Sequence, residues 1–281
     1  MMTWEEAVDW LRGQPDQQAL VRDCYYDDPL IDAATRFVDS GEWRAVRELL
    51  PKRQGRALDL GAGRGISSYA LAFDGWRVTA LEPDPSPVVG SGAIRSLVKE
   101  TGLSITIDER WGERLPYPDA SFELVHGRQV LHHARDLNVF CSEVGRVLKR
   151  GGTFIATREH VISRSEDLGV FLERHPLHRF YGGENAYLIR QYISAIIGGG
   201  LSLLAVLGPY DSPINYFPMT DDQWRQECLR PLSRMVGVRI ARLMTTERFA
   251  IGRRLLKALA AQRSRGCETP GRLYSFVAVK P

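Results

Sequence analysis

The stretch RALDLGAGRGISSYALAF, residues 56–73, constrains this chain more than any other. A short apolar run, RALDL, leads through three glycines in five residues straight into a helical pattern starting near Ile66. Strand, tight glycine turn and helix in that order open a βαβ unit, which implies a parallel sheet with right-handed crossovers. The alternation continues downstream. RVTALE, SITID, FELVH and TFIATR read as strands, with SPVVGSGAIRSLVKE and DLNVFCSEVGRVLK as helices between them. Residues 184–198 read as a further helix, LSLLAVLG as a strand and RLYSFVAVK as a closing strand. Ahead of the sheet, WEEAVDWL and PLIDAATRFVDSGEWRAVRELL place apolar residues at i, i+3, i+4 and i+7, as amphipathic helices do. The expected fold is α/β, a doubly wound, mainly parallel seven-stranded sheet. Its parts are a helical cover (1–50), a ligand-binding α/β core (51–160), an insert (161–183) and the rest of the core (184–281), with a basic helical insert at about 220–266.

A chain of 281 residues, 44% hydrophobic and 25% charged, has enough apolar content for a real core. Cys24, Cys141, Cys228 and Cys267 are scattered without a CxxC pair. That argues against a disulfide framework or structural zinc and suits a reducing cytoplasm. The acidic, amphipathic start MMTWEEAVDWLRG is unlike a secretory signal, and no apolar run reaches the roughly 18 residues needed to span a bilayer. The net charge of +3 is unevenly spread: residues 230–265 carry ten Arg and Lys against one acid, Glu247.

Gly61, Gly63 and Gly65 let the backbone turn sharply and approach a ligand, while the following helix aims free N–H groups at an anionic moiety. Glu82, ending the next strand in RVTALEPD, is placed to bind ribose hydroxyls. Both dinucleotide enzymes and methyltransferases use such a loop and acid. The G-A-G-R-G spacing is GxGxG rather than the dinucleotide GxGxxG, which favours a methyl-donor site over a nicotinamide.

Three segments then occur in order: RALDLGAGRGISSYALAFDGWRVTALEPD, LPYPDASFELVHGRQVLHHARD and EVGRVLKRGGTFIATRE. Over about residues 55–160 they resemble the class I S-adenosylmethionine-dependent methyltransferases, especially the UbiE-like or type 11 group, whose fold is Rossmann-like. The resemblance implies S-adenosyl-L-methionine as cofactor and S-adenosyl-L-homocysteine as product. It assigns Gly61, Gly63 and Gly65 to the cofactor's methionine portion, Glu82 to its ribose, and Gly127, Arg128 and Gln129 to its methionine end. Asp59, Ala62, Pro83, Trp111, Gly112 and Glu113 complete the expected cofactor set. Two positions depart from the pattern. Trp111 stands where many relatives have an acid that contacts adenine, so it either stacks on the base or belongs to the core. The usual Lys-Pro-Gly-Gly turn reads Lys149-Arg150-Gly151-Gly152. His132 and His133 are read as packing and helix-start residues, because adjacent helical side chains point about 100° apart.

The segment TREHVISRSEDLGVFLERHPLHRF, residues 157–180, holds three of the six histidines. In an open α/β sheet ligands lie at the carboxyl ends of the strands. Arg158, Glu159 and His160 are therefore expected to leave the fifth strand beside the cofactor as catalytic residues, His160 serving as base. His175, His178, Arg179 and Tyr181 are expected to fold back as acceptor contacts. No metal is expected, since Pro176 separates His175 from His178 and no ligand spacing is matched. Tyr210, Asn215 and Tyr216, in GPYDSPINYFPMTDDQW, suit a ring- or sugar-binding loop, or equally an aromatic loop packed on the core. Met235, Val238, Leu243, Ile251, Leu255 and Leu259 recur at helical spacing among arginines. Such a helix lies on an anionic membrane, binds phosphate, or packs on the sheet with a solvated basic face. The expected activity is methyl transfer to an oxygen of a sugar, glycan or phosphorylated small molecule. Phenolic, natural-product or RNA methylation is the alternative, and a nicotinamide oxidoreductase is less favoured. The partner is a small-molecule or glycan acceptor, with lipid-linked or peripheral membrane contact as an option and nucleic acid not favoured. The expected location is the cytoplasm, including the inner membrane surface.

Overall fold

The computed structural model describes residues 2–246 and 248–281, so Met1 and Glu247 lie outside the described residues. Its centre is an eight-stranded sheet: β1 (Arg56–Leu60), β2 (Arg77–Leu81), β3 (Ile105–Asp108), β4 (Phe122–Arg128), β5 (Leu148–Ile162), β6 (Tyr187–Leu188), β7 (Ser202–Leu207) and β8 (Arg272–Val279). The order is β3-β2-β1-β4-β5-β8-β7, with β6 paired to β5. All pairings are parallel except those of β8, which runs antiparallel to both β5 and β7. The seven expected strands are present, and the two-residue β6 is an addition. Both faces of the sheet are covered by apolar clusters. One contains Leu58, Phe122, Phe154 and Phe276, the other Phe37, Trp43, Leu71 and Ile155. Burial on both faces explains why the strands read as continuous apolar runs.

The N-terminal cover begins with helix Trp4–Arg12, set by a capping box in which Thr3 Oγ1 accepts from Glu6 N and Glu6 accepts from Thr3 N. The long helical stretch expected after Pro29 divides into Leu30–Val38 and Gly41–Arg47. Ser40 causes the division: its Oγ accepts from Trp43 N at 3.0 Å and starts the second helix. The basic region also divides, into Asp221–Val236, Val238–Met244 and Ala250–Arg265, with Gly237 at φ +82° making the first break. The packed face of the last helix is Gly252, Leu256, Ala260 and Ser264, a 4-residue repeat that the sequence reading passed over. Ile251 instead is 79% exposed, and Met235 and Leu243 also face outward.

Strand β5 is longer than expected and alters the site. It runs through Arg158, Glu159 and His160 to Ile162, so these three are strand residues rather than the start of a loop. Between Ala156 and Glu159 it carries one residue more than β8 opposite, with Arg158 at φ +61°. Such a bulge re-aims the side chains that follow it.

Candidate active site

Two cavities open along the carboxyl ends of β1, β4 and β5. The first, about 490 Å³, is lined by Gly61, Glu82, Pro83, Trp111, Gly112 and Glu113, among others. Gly61 of the glycine loop and the β2 acid stand in its wall, while Gly63 lines the second cavity and Gly65 lines neither. Gly61, Gly63 and Gly65 have φ of +58°, +53° and +85°, the left-handed region that favours glycine. Glu82 is 4% exposed, and its two oxygens accept from Gly63 N at 2.7 Å and Asp84 N at 3.0 Å. Burial raises its pKa to about 7 against the opposing pull of those amides. Trp111 is 61% exposed, which settles the choice left open by the sequence: it is not core. The Arg135 guanidinium lies over its ring at 5.0 Å, and Arg135 N donates to Glu113 at 2.9 Å. Gly112 admits the Phe140 ring, which would lie 2.2 Å from an added Cβ.

The second cavity, about 390 Å³, adjoins the first, and Trp4, Gly61, Gln129 and His133 line both. Its wall is polar: Arg128, Arg158, His132, His160, His175 and Glu184 face it. Helix Trp4–Arg12 and the segment 175–184 form the roof. Trp4 stacks on Tyr181 with ring centres 5.9 Å apart, Met2 N donates to Phe180 O at 3.0 Å, and Ser86 hydrogen bonds Glu5. The cover is also tied down from below. Arg128, at the end of β4, donates to both oxygens of the fully buried Glu42 at 2.7 and 3.1 Å. Burial would raise the Glu42 pKa, but the charges of Arg128 and Arg158 hold it below the ordinary value.

His132, His160, His175 and Glu184 form one polar cluster in this cavity. Glu159 points away from it: Oε1 accepts from Val130 N and Leu131 N, and Oε2 from His132 N, each at 3.1 Å. Glu159 Oε2 also holds His132 Nδ1 at 2.7 Å. Glu159 is thus a buried anchor that orients His132. His160 Nδ1 donates to Gly271 O at 2.9 Å, leaving Nε2 as its lone-pair nitrogen. Burial opposes a charge on His132, but the facing carboxylates of Glu159 and Glu184 raise its pKa to about 9. Burial and the neighbouring His132 push His160 down to about 3 and His133 down to about 4. A histidine held so low is neutral at pH 7 but a weak proton acceptor.

The expected residues fall into distinct places. Of the cofactor set, Asp59 is committed internally, accepting from Ser68 Oγ at 2.6 Å and lying 3.0 Å from His126 Nδ1. Gly127 lies under Val130, 2.5 Å from an added Cβ. Ala62 and Gly63 line the second cavity with Arg128. Arg158 lines that cavity too, its Nη1 donating to Ile214 O at 2.8 Å. His175 lines the second cavity and Tyr181 the first. Neither is lined by His178, by Arg179, which stacks on Phe180, or by Tyr210, Asn215 and Tyr216. Asn215 accepts from Ser275 Oγ at 2.7 Å, and Tyr216 stacks on Trp224. Of the two readings left open for that loop, it is the packed one. His132 and His133 correct the expectation of divergent side chains: their ring centres are 4.2 Å apart and both face the second cavity. They occupy a single 3-10 turn, and each ring is held by its own contact: His132 Nδ1 by Glu159 Oε2 at 2.7 Å, and His133 Nδ1 by Gly183 O at 3.0 Å. Trp4, Glu42 and Glu184 were not singled out from the sequence. Only the fold brings them to the site.

Residues 58–156 match the family described as methyltransferase domain. An uncharacterized methyltransferase of Bacillus subtilis, YcgJ, is 35% identical over 101 residues, 36% of this chain and 39% of that protein. The ubiquinone biosynthesis O-methyltransferase of Agrobacterium fabrum is 21% identical over 60% of this chain and 66% of its own length. The chain thus spans about two fifths of the first relative and two thirds of the second. Among solved structures, the [4+2]-cyclase SpnF superposes with a TM-score of 0.55 at 22% identity, over 89% of this chain and 82% of that one. A geranyl diphosphate methyltransferase in complex with SAM gives 0.57 at 13% identity, over 96% and 92%. These two likenesses speak to the fold alone. With the sheet order, the glycine loop and the family match together, the chain carries over residues 58–156 a class I S-adenosylmethionine-dependent methyltransferase domain of the type 11 group.

Proposed function

We propose that the protein transfers a methyl group from S-adenosylmethionine to an oxygen of a small, polar, hydroxylated acceptor, a sugar or a phosphorylated small molecule. The observation that carries this reading is the pair of adjoining cavities. One is walled by Gly61 of the glycine loop and Glu82, the other by arginine, histidine and glutamate, and they meet at Trp4, Gly61, Gln129 and His133. When bound in the first, the cofactor supplies an electrophilic sulfonium methyl. The chain's own part is alignment and exclusion of water. The Gly61–Gly65 backbone and Glu82 hold the donor. The roof of Trp4 and Tyr181 closes the junction, and Arg128 and the histidines orient the acceptor. The acceptor hydroxyl passes its proton by way of His160 Nε2 to solvent as the oxygen–carbon bond forms. His160, set in this wall with Nε2 free, receives the acceptor rather than storing that proton.

A second reading, a phenolic acceptor, is favoured by the ubiquinone-biosynthesis relatives and by Trp4, Tyr25 and Tyr26 in the second cavity. We also propose a cytoplasmic enzyme that touches the inner membrane surface. The free thiols of Cys24, Cys141, Cys228 and Cys267 suit that compartment. No helix among the described residues is long and apolar enough to cross a membrane. The exposed Met235, Val238, Leu243, Phe249 and Ile251 stand among arginines, as in interfacial helices.

The test is incubation with methyl-labelled cofactor and four acceptor pools: sugar nucleotides, lipid-linked oligosaccharide, small phenols and RNA. Label in a sugar or phosphorylated acceptor is expected, and label only in phenols or RNA refutes the acceptor class. Sedimentation with anionic vesicles should capture the wild type and release Arg253→Glu/Arg254→Glu. Equal recovery of the two removes the membrane contact.

A further inference from the structure

We propose that His132, His160 and Glu184 form a binding site for one divalent transition-metal ion at the wall of the second cavity, with His175 beside it. Three separate pieces of chain supply the ligands: the 3-10 turn after β4, the extended end of β5, and the loop before β6. One ligand atom from each of the three lies within 4.8 Å of the other two. Ligands bound at about 2.0–2.2 Å in a tetrahedral site sit roughly 3.4 Å apart, so small side-chain rotations close the remaining gap. His132 Nε2 is already 3.6 Å from Glu184 Oε2, and His175 Nε2 is 3.7 Å from Glu184 Oε1.

The surroundings are those of a built site. Metal-binding histidines characteristically donate the other ring N–H to a carboxylate or a carbonyl. His132 Nδ1 meets Glu159 Oε2 at 2.7 Å, and His160 Nδ1 donates to Gly271 O at 2.9 Å. Both rings therefore turn Nε2 toward the same space. Glu184 Oε1 is held by Tyr181 Oη, whereas Glu184 Oε2 is buried with no hydrogen-bond partner. That oxygen lies 3.6 Å from His132 Nε2, too long for a hydrogen bond, and a metal ion between the two would meet both.

The donor set selects the ion. Magnesium and calcium prefer all-oxygen shells, whereas two imidazoles with one carboxylate suit zinc, iron(II), cobalt(II) or nickel(II). Three protein ligands leave a position open toward the cavity. On the acceptor reading given above, a hydroxyl oxygen of the acceptor fills that position. Spacing in the sequence concealed the site, since Pro176 disqualified only the His175–His178 pair and Glu184 lies outside that segment.

The test is cobalt(II) titration of chelator-stripped, full-length protein, followed by calorimetry and by the visible d–d absorption of ligated cobalt. One cobalt per chain is expected, displaced by zinc and not by magnesium. Glu184→Gln should weaken binding more than tenfold, and Glu159→Gln, which leaves all three ligands in place, by about 10–100-fold. Circular dichroism identifies any variant that fails to fold, and His160→Ala, which removes one ligand and should also weaken cobalt binding more than tenfold, serves as the second variant. No cobalt bound by the folded wild type, or equal affinity in a folded Glu184→Gln, overturns the site. S-adenosylmethionine calorimetry on the same samples separates the outcomes: loss of cofactor binding counts against the methyl-transfer reading, and loss of cobalt binding alone against the metal.

Discussion

Glu42→Gln tests whether the buried ion pair beneath the site holds the helical cover in place. Glu42 is 0% exposed, and its carboxylate takes two hydrogen bonds from Arg128, with Arg158 Nη1 3.9 Å away. Glutamine keeps the shape but leaves two guanidinium groups facing each other without a countercharge. Breaking one partner of a buried pair costs about 3–5 kcal/mol. At roughly 2–4 °C per kcal/mol for a chain near this size, the melting temperature should fall by roughly 6–20 °C. Thermal unfolding followed by circular dichroism at pH 7 measures it. The pH dependence is a second check. Because the folded pKa lies below the ordinary 4.5, the Glu42 contribution is present above pH 4.5 and is lost as pH falls through the folded value. The gap between wild type and variant should therefore narrow in acid. A variant that melts within about 2 °C of the wild type at pH 7, equivalent to less than about 1 kcal/mol, would refute the argument.

Two further outcomes concern the cofactor side. Burial raises Glu82 to about 7, while ribose hydroxyls donate best to the ionised carboxylate, so binding should release a proton. S-adenosylmethionine affinity should then tighten up to about tenfold per pH unit between pH 6 and 7 and level off above, as calorimetry would show; a flat profile removes Glu82 from the site. Gly61→Ala places a Cβ at φ +58° and 2.5 Å from Val130 Cγ2, whereas Gly151→Ala carries similar strain at φ +74° in open space. Each should cost about 1–3 kcal/mol of stability. Only Gly61→Ala should abolish cofactor binding, and equal binding by both variants would show that the loop is not at the ligand.

The sequence carried the βαβ alternation and the ligand loop because both are local. Strands buried on both faces must be apolar runs, and a turn that needs three left-handed residues needs glycines. Period and composition therefore disclosed β1 to β5, β7 and β8, Gly61 to Gly65, and Glu82. The second cavity was legible only in part, for reasons that are equally physical. Glu159 and His160 are neighbours in sequence but point to opposite sides of β5, one into the structure under His132 and the other into the cavity. A run of titratable residues does not reveal that division. Trp4, Glu42 and Glu184 stand 38 to 180 positions apart, and nothing in their local sequence marks them. A helical cover, a buried ion pair and a returning loop bring them together. The basic region shows the same limit from the other side. Its helical period was visible, but Gly237 and the packing of Leu256 and Ala260 decided which apolar residues face the protein and which face solvent.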